Sequence, residues 1–258
     1  MIEEFEILKC TRDENLEIID KVVVETPLTI IVNDNEYITI MCTPIKMEEL
    51  AVGFLFSEGL IKSKEDIISL NLESSEENIC RVRIKNHINF EELYGNRVVT
   101  SGSKGSLYYN SMSFMKDKKF TNNIKVHKNE IMDTMSNFFN RSKIFEATGG
   151  VHSVLLKNKD IEIFREDIGR HNAIDKAVGY LILNSLPVDE FVIYISGRLS
   201  SEMVSKISKA GISFAISRAC PTSLSLGLAR NMNMTLIGFS RGNRFNVYSG
   251  KERVEYNA

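Results

Sequence analysis

The sequence predicts an α/β fold: a mostly parallel or mixed sheet flanked by helices over residues 121–258, after a smaller strand-rich α+β region over residues 1–120. Two observations carry the prediction. In the C-terminal half, short apolar runs alternate with amphipathic segments of helical period, the pattern of βαβ units. Nearer the N-terminus, strand-like runs at 29–32 and 36–40 flank Asn33-Asp34-Asn35, a hairpin signal.

After the hairpin, residues 47 to about 56 form a helix, with Gly59 placed to end it. Residues 62–78 are charged, and 79–84 alternate like a half-buried strand. Residues 100–106, Thr-Ser-Gly-Ser-Lys-Gly-Ser, are small, polar and glycine-rich, a loop by composition. A boundary is placed near residue 120. One helix is expected over 128–145, with Ile131, Met135, Phe138 and Phe139 on one face.

Strands follow at 151–156 and 161–164, joined by a turn at 157–160. The helix from about 172 to 183 carries Ile174, Ala177, Val178, Leu181 and Ile182 at helical spacing. Strands at 191–195, 212–216 and 235–239 alternate with two more helices. The first turns Leu199, Met203, Val204 and Ile207 inward and stops at Gly211; the second opens at Pro221. A last strand spans 245–248.

The charges have a position on that sheet. Arg165 and Arg170 follow strand 161–164, Arg198 follows 191–195, Arg218 follows 212–216, and Arg241 and Arg244 follow 235–239. If the strands are parallel, these arginines converge beyond their carboxyl ends, where open α/β sheets bind ligands. Helix N-termini near Asn172, Ser200 and Pro221 share that edge and favour anions. Gly149, Gly150, Gly169, Gly197 and Gly242 would let a ligand approach the backbone. A phosphate or pyrophosphate group suits such an edge. Alternatively, the arginines pair with Glu166, Asp167 and Asp175, and the polar run simply caps a helix. His152 near a strand start and His171 at a helix start are structural or catalytic. Cys220, at a strand end, is a candidate thiol.

Composition excludes several classes. Net charge is −2, with 43% hydrophobic and 26% charged residues, so no global basic field holds nucleic acid or a membrane. No apolar run reaches the ~18 residues of a membrane span. The acidic N-terminus lacks signal-peptide features, and a cytoplasmic location is expected. Cys10, Cys42, Cys80 and Cys220 make no CxxC pair, so no metal and no zinc are expected. Neither a Walker A sequence nor a GxGxxG after a strand is present.

Six segments resemble the FdhD family. They are Glu49 to Leu55 through Glu58-Gly59; Ala147 to His152; Arg165 to Lys176, reading REDIGRHNAIDK; Ser196-Gly197-Arg198 through Glu202-Met203; Pro221 to Leu224; and Gly238 to Tyr248. The resemblance implies a cytidine-deaminase-like larger domain without its zinc site. It implies an accessory factor required for formate dehydrogenase activity, a sulfurtransferase-type protein. Such a factor takes sulfur from a cysteine desulfurase as a persulfide. It passes that sulfur to the molybdenum bis(molybdopterin guanine dinucleotide) cofactor, bound as cargo. A homodimer also fits the family. The stretch Phe239, Ser240, Arg241, Gly242, Asn243, Arg244 matches the family's cofactor-binding segment.

One departure stands out. The family's persulfide cysteine falls in the loop at 100–106, where this chain has Ser101 or Ser103, depending on how the glycines align. A serine hydroxyl forms no persulfide. Either this member binds the cofactor as a chaperone without sulfur transfer, or sulfur rides elsewhere, with Cys220 the best-placed substitute, or the chain has been altered.

Overall fold

The computed structural model describes residues 1–74, 77–86 and 118–257. The chain opens with a two-stranded hairpin, β1 (Ile2–Cys10) and β2 (Asn15–Val23). A four-stranded sheet follows from β3 (Thr26–Val32), β4 (Asn35–Cys42), β5 (Ile67–Glu73) and β6 (Asn78–Ile84), in the order β4-β3-β6-β5. The β3–β4 turn forms where the sequence predicts it, with Asn33 and Asp34 at φ 47° and 68°. Positive φ at both turn residues matches the strand twist, and Asn and Asp tolerate it. Strand β5 arises inside the charged stretch 62–78, to which no element is assigned from the sequence. Its apolar residues, Ile67, Leu70 and Leu72, pack on this sheet's core.

Helix α1 (Met47–Glu58) covers the sheet and ends at Gly59, φ 83°, as expected. Beyond residue 117 come the short β7 (Val126–His127) and helix α2 (Lys128–Phe138). The single helix expected over 128–145 is broken. A 3₁₀ turn spans Phe139–Arg141, and Ser142 then caps a separate α3 (Lys143–Thr148), its hydroxyl accepting from Phe145 N–H at 2.9 Å.

Strands β8 (His152–Lys157), β9 (Glu162–Asp167), β10 (Val192–Ile195), β11 (Phe214–Ser217), β12 (Thr235–Arg241) and β13 (Arg244–Ser249) build a six-stranded sheet in the order β13-β12-β11-β10-β8-β9. Its three central pairings divide by direction: β10–β11 and β11–β12 are parallel, whereas β8–β10 is antiparallel. The sheet is therefore mixed, the second of the two expected forms. Helices α4 (Arg170–Leu183), α5 (Ser201–Lys209) and α6 (Ser223–Asn231) cover one face, and α2 covers the other. Pro221 lies just outside α6, whose cap is Thr222 in a capping box with Ser225. The short β14 (Val254–Glu255) pairs with β7. Among the described residues, no helix is long and apolar enough to cross a membrane.

The two sheets meet through α1 and α4, whose backbones touch. A Cβ built on Gly53 would lie 1.8 Å from the Asp175 carbonyl oxygen, and one on Gly179 would lie 1.9 Å from that of Glu49. Only glycine allows this approach. Polar groups then fix the crossing. Lys176 Nζ lies 2.6 Å from Asp167 Oδ2, with both side chains fully buried. Thr43 donates to that oxygen from N–H at 3.1 Å and Oγ1–H at 3.0 Å, and Lys176 donates to Thr43 Oγ1 at 2.7 Å. Asp175 accepts from Ser57 Oγ at 2.7 Å and pairs with Lys206. Gly53→Ala therefore overpacks a backbone contact that cannot yield. The expected loss is about 3 kcal/mol of unfolding free energy, the upper end of the usual overpacking range, read by chemical denaturation. An unchanged midpoint would contradict the crossing.

Candidate functional site

Strand direction decides where the arginines go. Strands β9, β10, β11 and β12 all run the same way, because β8 is antiparallel to both β9 and β10. Their carboxyl ends share one edge with the N-terminus of β8, which carries His152. The N-termini of α4, α5 and α6 open at the same edge. Arg170, His171, Arg198, Arg218, Arg241 and Arg244 therefore lie at or next to one rim, as the strand-end argument expects.

Arg165 does not join them. β9 runs to Asp167, three residues beyond its expected end, so Arg165 sits inside the strand. Its guanidinium forks onto Glu49, donating from Nη2 to Oε1 at 2.9 Å and from Nε to the other oxygen, and stacks 4.6 Å from the Tyr180 ring. It thus clamps α1 to the larger sheet, with its donors aimed away from the rim. The glycine pair is also accounted for by packing. Gly149 ends α3 at φ 64°, and a Cβ on Gly150 would meet Val23 Cγ1 at 2.6 Å. Gly169 precedes α4 and donates N–H to Asp167 Oδ1 at 2.9 Å, an oxygen shared with Asn172 Nδ2, also at 2.9 Å. Asp167 and Asn172 are thus committed to the scaffold.

The middle residues of that motif, Arg170 and His171, lie at the rim. A Cβ on Gly197 would lie 3.5 Å from both Cβ and Cδ of Arg170 and 3.7 Å from His152 Nδ1. The strand-end loop thus packs at ordinary contact distance from both side chains. Burial pulls Arg170 below the ordinary arginine range, the neighbouring Arg198 guanidinium adds to this, and Glu202 opposes it. Two guanidiniums this close are chemically suited to receive an anion between them. His171 Nε2 lies 3.1 Å from Glu202 Oε2. Sequence reasoning missed Glu202 as a site residue; its one signal was a place in the first turn of a helix following a strand-end arginine.

The other flank is built by β12 and the β11–α6 loop. Phe239 adopts φ 51° at an irregularity in the β12–β13 pairing, donates N–H to Ala219 O at 3.0 Å, and leaves its ring 37% exposed. A non-glycine residue held in that region is strained backbone, a feature that clusters at ligand sites. Ser240 turns inward and is buried, while Arg241, Gly242, Asn243 and Arg244 are exposed. Arg241 Nε donates to Arg218 O at 3.3 Å, and Arg218 itself lies over the Phe139 ring at 4.5 Å. Cys220 is half-buried here, its carbonyl accepting from Leu199 N–H at 3.2 Å. Ser101 and Ser103 fall outside the described residues. Among those described, no three His, Cys, Asp or Glu side chains gather to hold a metal ion.

A family model described as the FdhD/NarQ family matches residues 23–255. The chain belongs to the FdhD/NarQ family. A protein from Listeria innocua named sulfur carrier protein FdhD is 40% identical over 243 residues, 92% of this chain and 93% of that one. One of the same name from Bacillus subtilis is 37% identical over 237 residues, 91% and 90% of the two chains. A crystal structure assigned to a formate dehydrogenase accessory protein from Desulfotalea psychrophila superposes with TM-score 0.81 at 27% identity, covering 98% of this chain and 99% of that one. Within this FdhD/NarQ chain the REDIGRHNAIDK run does two jobs. Arg165, Asp167, Asn172, Asp175 and Lys176 dock the two sheets, and Arg170 and His171 face the rim.

The thiols differ sharply. Burial pushes Cys42 up to about 12, with Asp167 adding to the shift, and burial likewise pushes Cys80 up to about 12. Neither supplies thiolate near neutrality. His152 is shifted the opposite way, held low by burial and then by Arg170 and His171. Ser196 Oγ accepts from Ser153 N–H at 3.0 Å, which frees its own hydrogen for His152 Nδ1 at 3.3 Å and suits the neutral ring. With the folded pKa below the unfolded value of about 6.5, folding favours the neutral form. Its contribution is intact above about pH 6.5 and is lost as pH falls through the folded pKa. His152→Gln should flatten the decline in stability as pH falls below about 6.5, measured by denaturation at each pH. An unaltered decline would contradict the assignment.

Proposed function

We propose that this chain is an accessory factor for formate dehydrogenase that binds the molybdenum bis(molybdopterin guanine dinucleotide) cofactor as cargo at the arginine rim. The observation that carries the reading is the convergence of Arg170, Arg198, Arg241 and Arg244 with three helix N-termini on one sheet edge. The cargo's guanine dinucleotides bring pyrophosphates, which such an edge receives through charge-assisted and bidentate hydrogen bonds. The exposed Phe239 ring beside Arg241 offers a face on which a purine can stack. The names carried by the relatives from Listeria, Bacillus and Desulfotalea support the role.

Sulfur transfer is the finer part of the proposal. An acceptor thiolate attacks the outer sulfur of a cysteine desulfurase persulfide, so one S–S bond forms, another breaks, and the desulfurase thiolate leaves. Ser101 and Ser103 cannot take that step, and Cys42 and Cys80 are buried and protonated. Cys10 is exposed but lies at the end of β1 in the N-terminal hairpin, whereas Cys220 lies at the rim, so this reading makes Cys220 the acceptor. The second reading, a cofactor chaperone without sulfur transfer, is favoured by the serines of the loop and predicts no persulfide at all.

One experiment addresses both. Guanosine diphosphate is titrated calorimetrically into the wild type and into the Arg170→Ala, Arg198→Ala and Arg165→Ala variants. Each rim variant should lose about tenfold or more in affinity, the worth of one charge-assisted contact. Arg165→Ala should lower the melting temperature and leave the affinity of the folded protein unchanged. Equal affinity in all four proteins would overturn the site. In parallel, incubation with a desulfurase and cysteine should place a sulfur on Cys220, detected by mass spectrometry and absent in Cys220→Ser. No persulfide on any cysteine leaves the chaperone reading.

A further inference from the structure

Glu202 poses a problem for an anion site. It sits in the first turn of α5, only 5% exposed, among groups that would receive a phosphate. His171 meets it from α4 at 3.1 Å, the adjacent Arg170 feels its charge, Arg198 comes from the loop before α5, and His152 on β8 feels the charge of Arg170. A first-turn glutamate needs no burial to meet a helix dipole. Moreover, a carboxylate this close repels a bound phosphate.

We infer that Glu202 is a positioning residue, fixing the Arg170 guanidinium and the His171 ring in the arrangement that receives the cargo's phosphate. This rests on the cofactor-binding reading above. Two features beyond its charge support it. Its Oε2 lies 3.1 Å from His171 Nε2, with the two side chains 6% and 9% exposed, so neither partner swings freely in water. That nitrogen lies at salt-bridge distance from the carboxylate, buried and with no hydrogen bond aligned on it. The Glu202 charge also favours the charged Arg170 guanidinium, against the burial and the neighbouring Arg198 that disfavour it. Two guanidiniums with no counter-charge would splay apart before a ligand arrived. Holding them in place removes an ordering cost from binding.

The sign of one substitution separates this role from that of a bystander charge. Glu202→Gln removes a negative charge beside an anion, so by Coulomb's law alone guanosine diphosphate should bind more tightly. Positioning requires the reverse. The expected result is affinity about tenfold weaker in E202Q and near wild type in E202D, which keeps the charge. Because Glu202 acts in part through His171, His171→Gln combined with E202Q should cost less than the sum of the two singles. Melting curves of each variant accompany the titrations. If the wild type does not bind guanosine diphosphate, the reading of the rim falls and this inference with it. If the wild type binds and E202Q binds equally or more tightly, Glu202 has no positioning role and the rim stands. Equal weakening in E202Q and E202D with a lowered melting temperature would mark a structural residue and likewise overturn the inference.

Discussion

The buried pair of Asp167 and Lys176 is the constraint on which the rest depends. It sits where β9 passes into α4, and it reaches across to Thr43 at the end of β4. Removing one partner of a buried pair costs about 3–5 kcal/mol, because the other is left charged in a dry interior. Here the pair also does geometric work. Asp167 spends its second oxygen on Gly169 and Asn172, which sets the direction of the first turn of α4. The next residues along that turn, Arg170 and His171, are therefore aimed by the same carboxylate that holds the two sheets together.

The rim then follows from strand polarity. Parallel β10, β11 and β12 deliver their carboxyl ends to one side, and antiparallel β8 adds its N-terminus there. Side chains more than 70 residues apart in sequence, His152 and Arg241 among them, meet on that edge without any long loop to carry them. The bulge at Phe239 lies just before Arg241, and the loop at Gly197 packs against Arg170 and His152. Positive groups and helix ends gathered at one edge favour phosphate esters over neutral ligands.

Much of this was legible in the sequence, for reasons that can be named. The period of Ile174, Ala177, Val178 and Leu181 marks the buried face of α4, and all four are in the core. Gly59 ends α1 because a left-handed residue was needed there, and Asn33-Asp34 turns β3 into β4 for the same kind of reason. Arginines after successive apolar strands revealed the rim because strand ends, unlike pair partners, can be located locally. What stayed hidden was non-local. Nothing near Arg165 announces Glu49, 116 residues away. Likewise, Glu202 reads as an ordinary first-turn acid until α4 places His171 against it. The direction of β8 was hidden too, since antiparallel pairing to β10 depends on the connection through α4 and not on residues 152–157 themselves.

The most direct test of the account is a crystal structure of this chain with guanosine diphosphate bound. The account predicts phosphate oxygens within about 3 Å of the Arg170 and Arg198 guanidiniums, at the carboxyl ends of β9 and β10. A nucleotide seated instead at the opposite edge of the sheet, near Lys157 and Asn158, with the arginine rim empty, would contradict it.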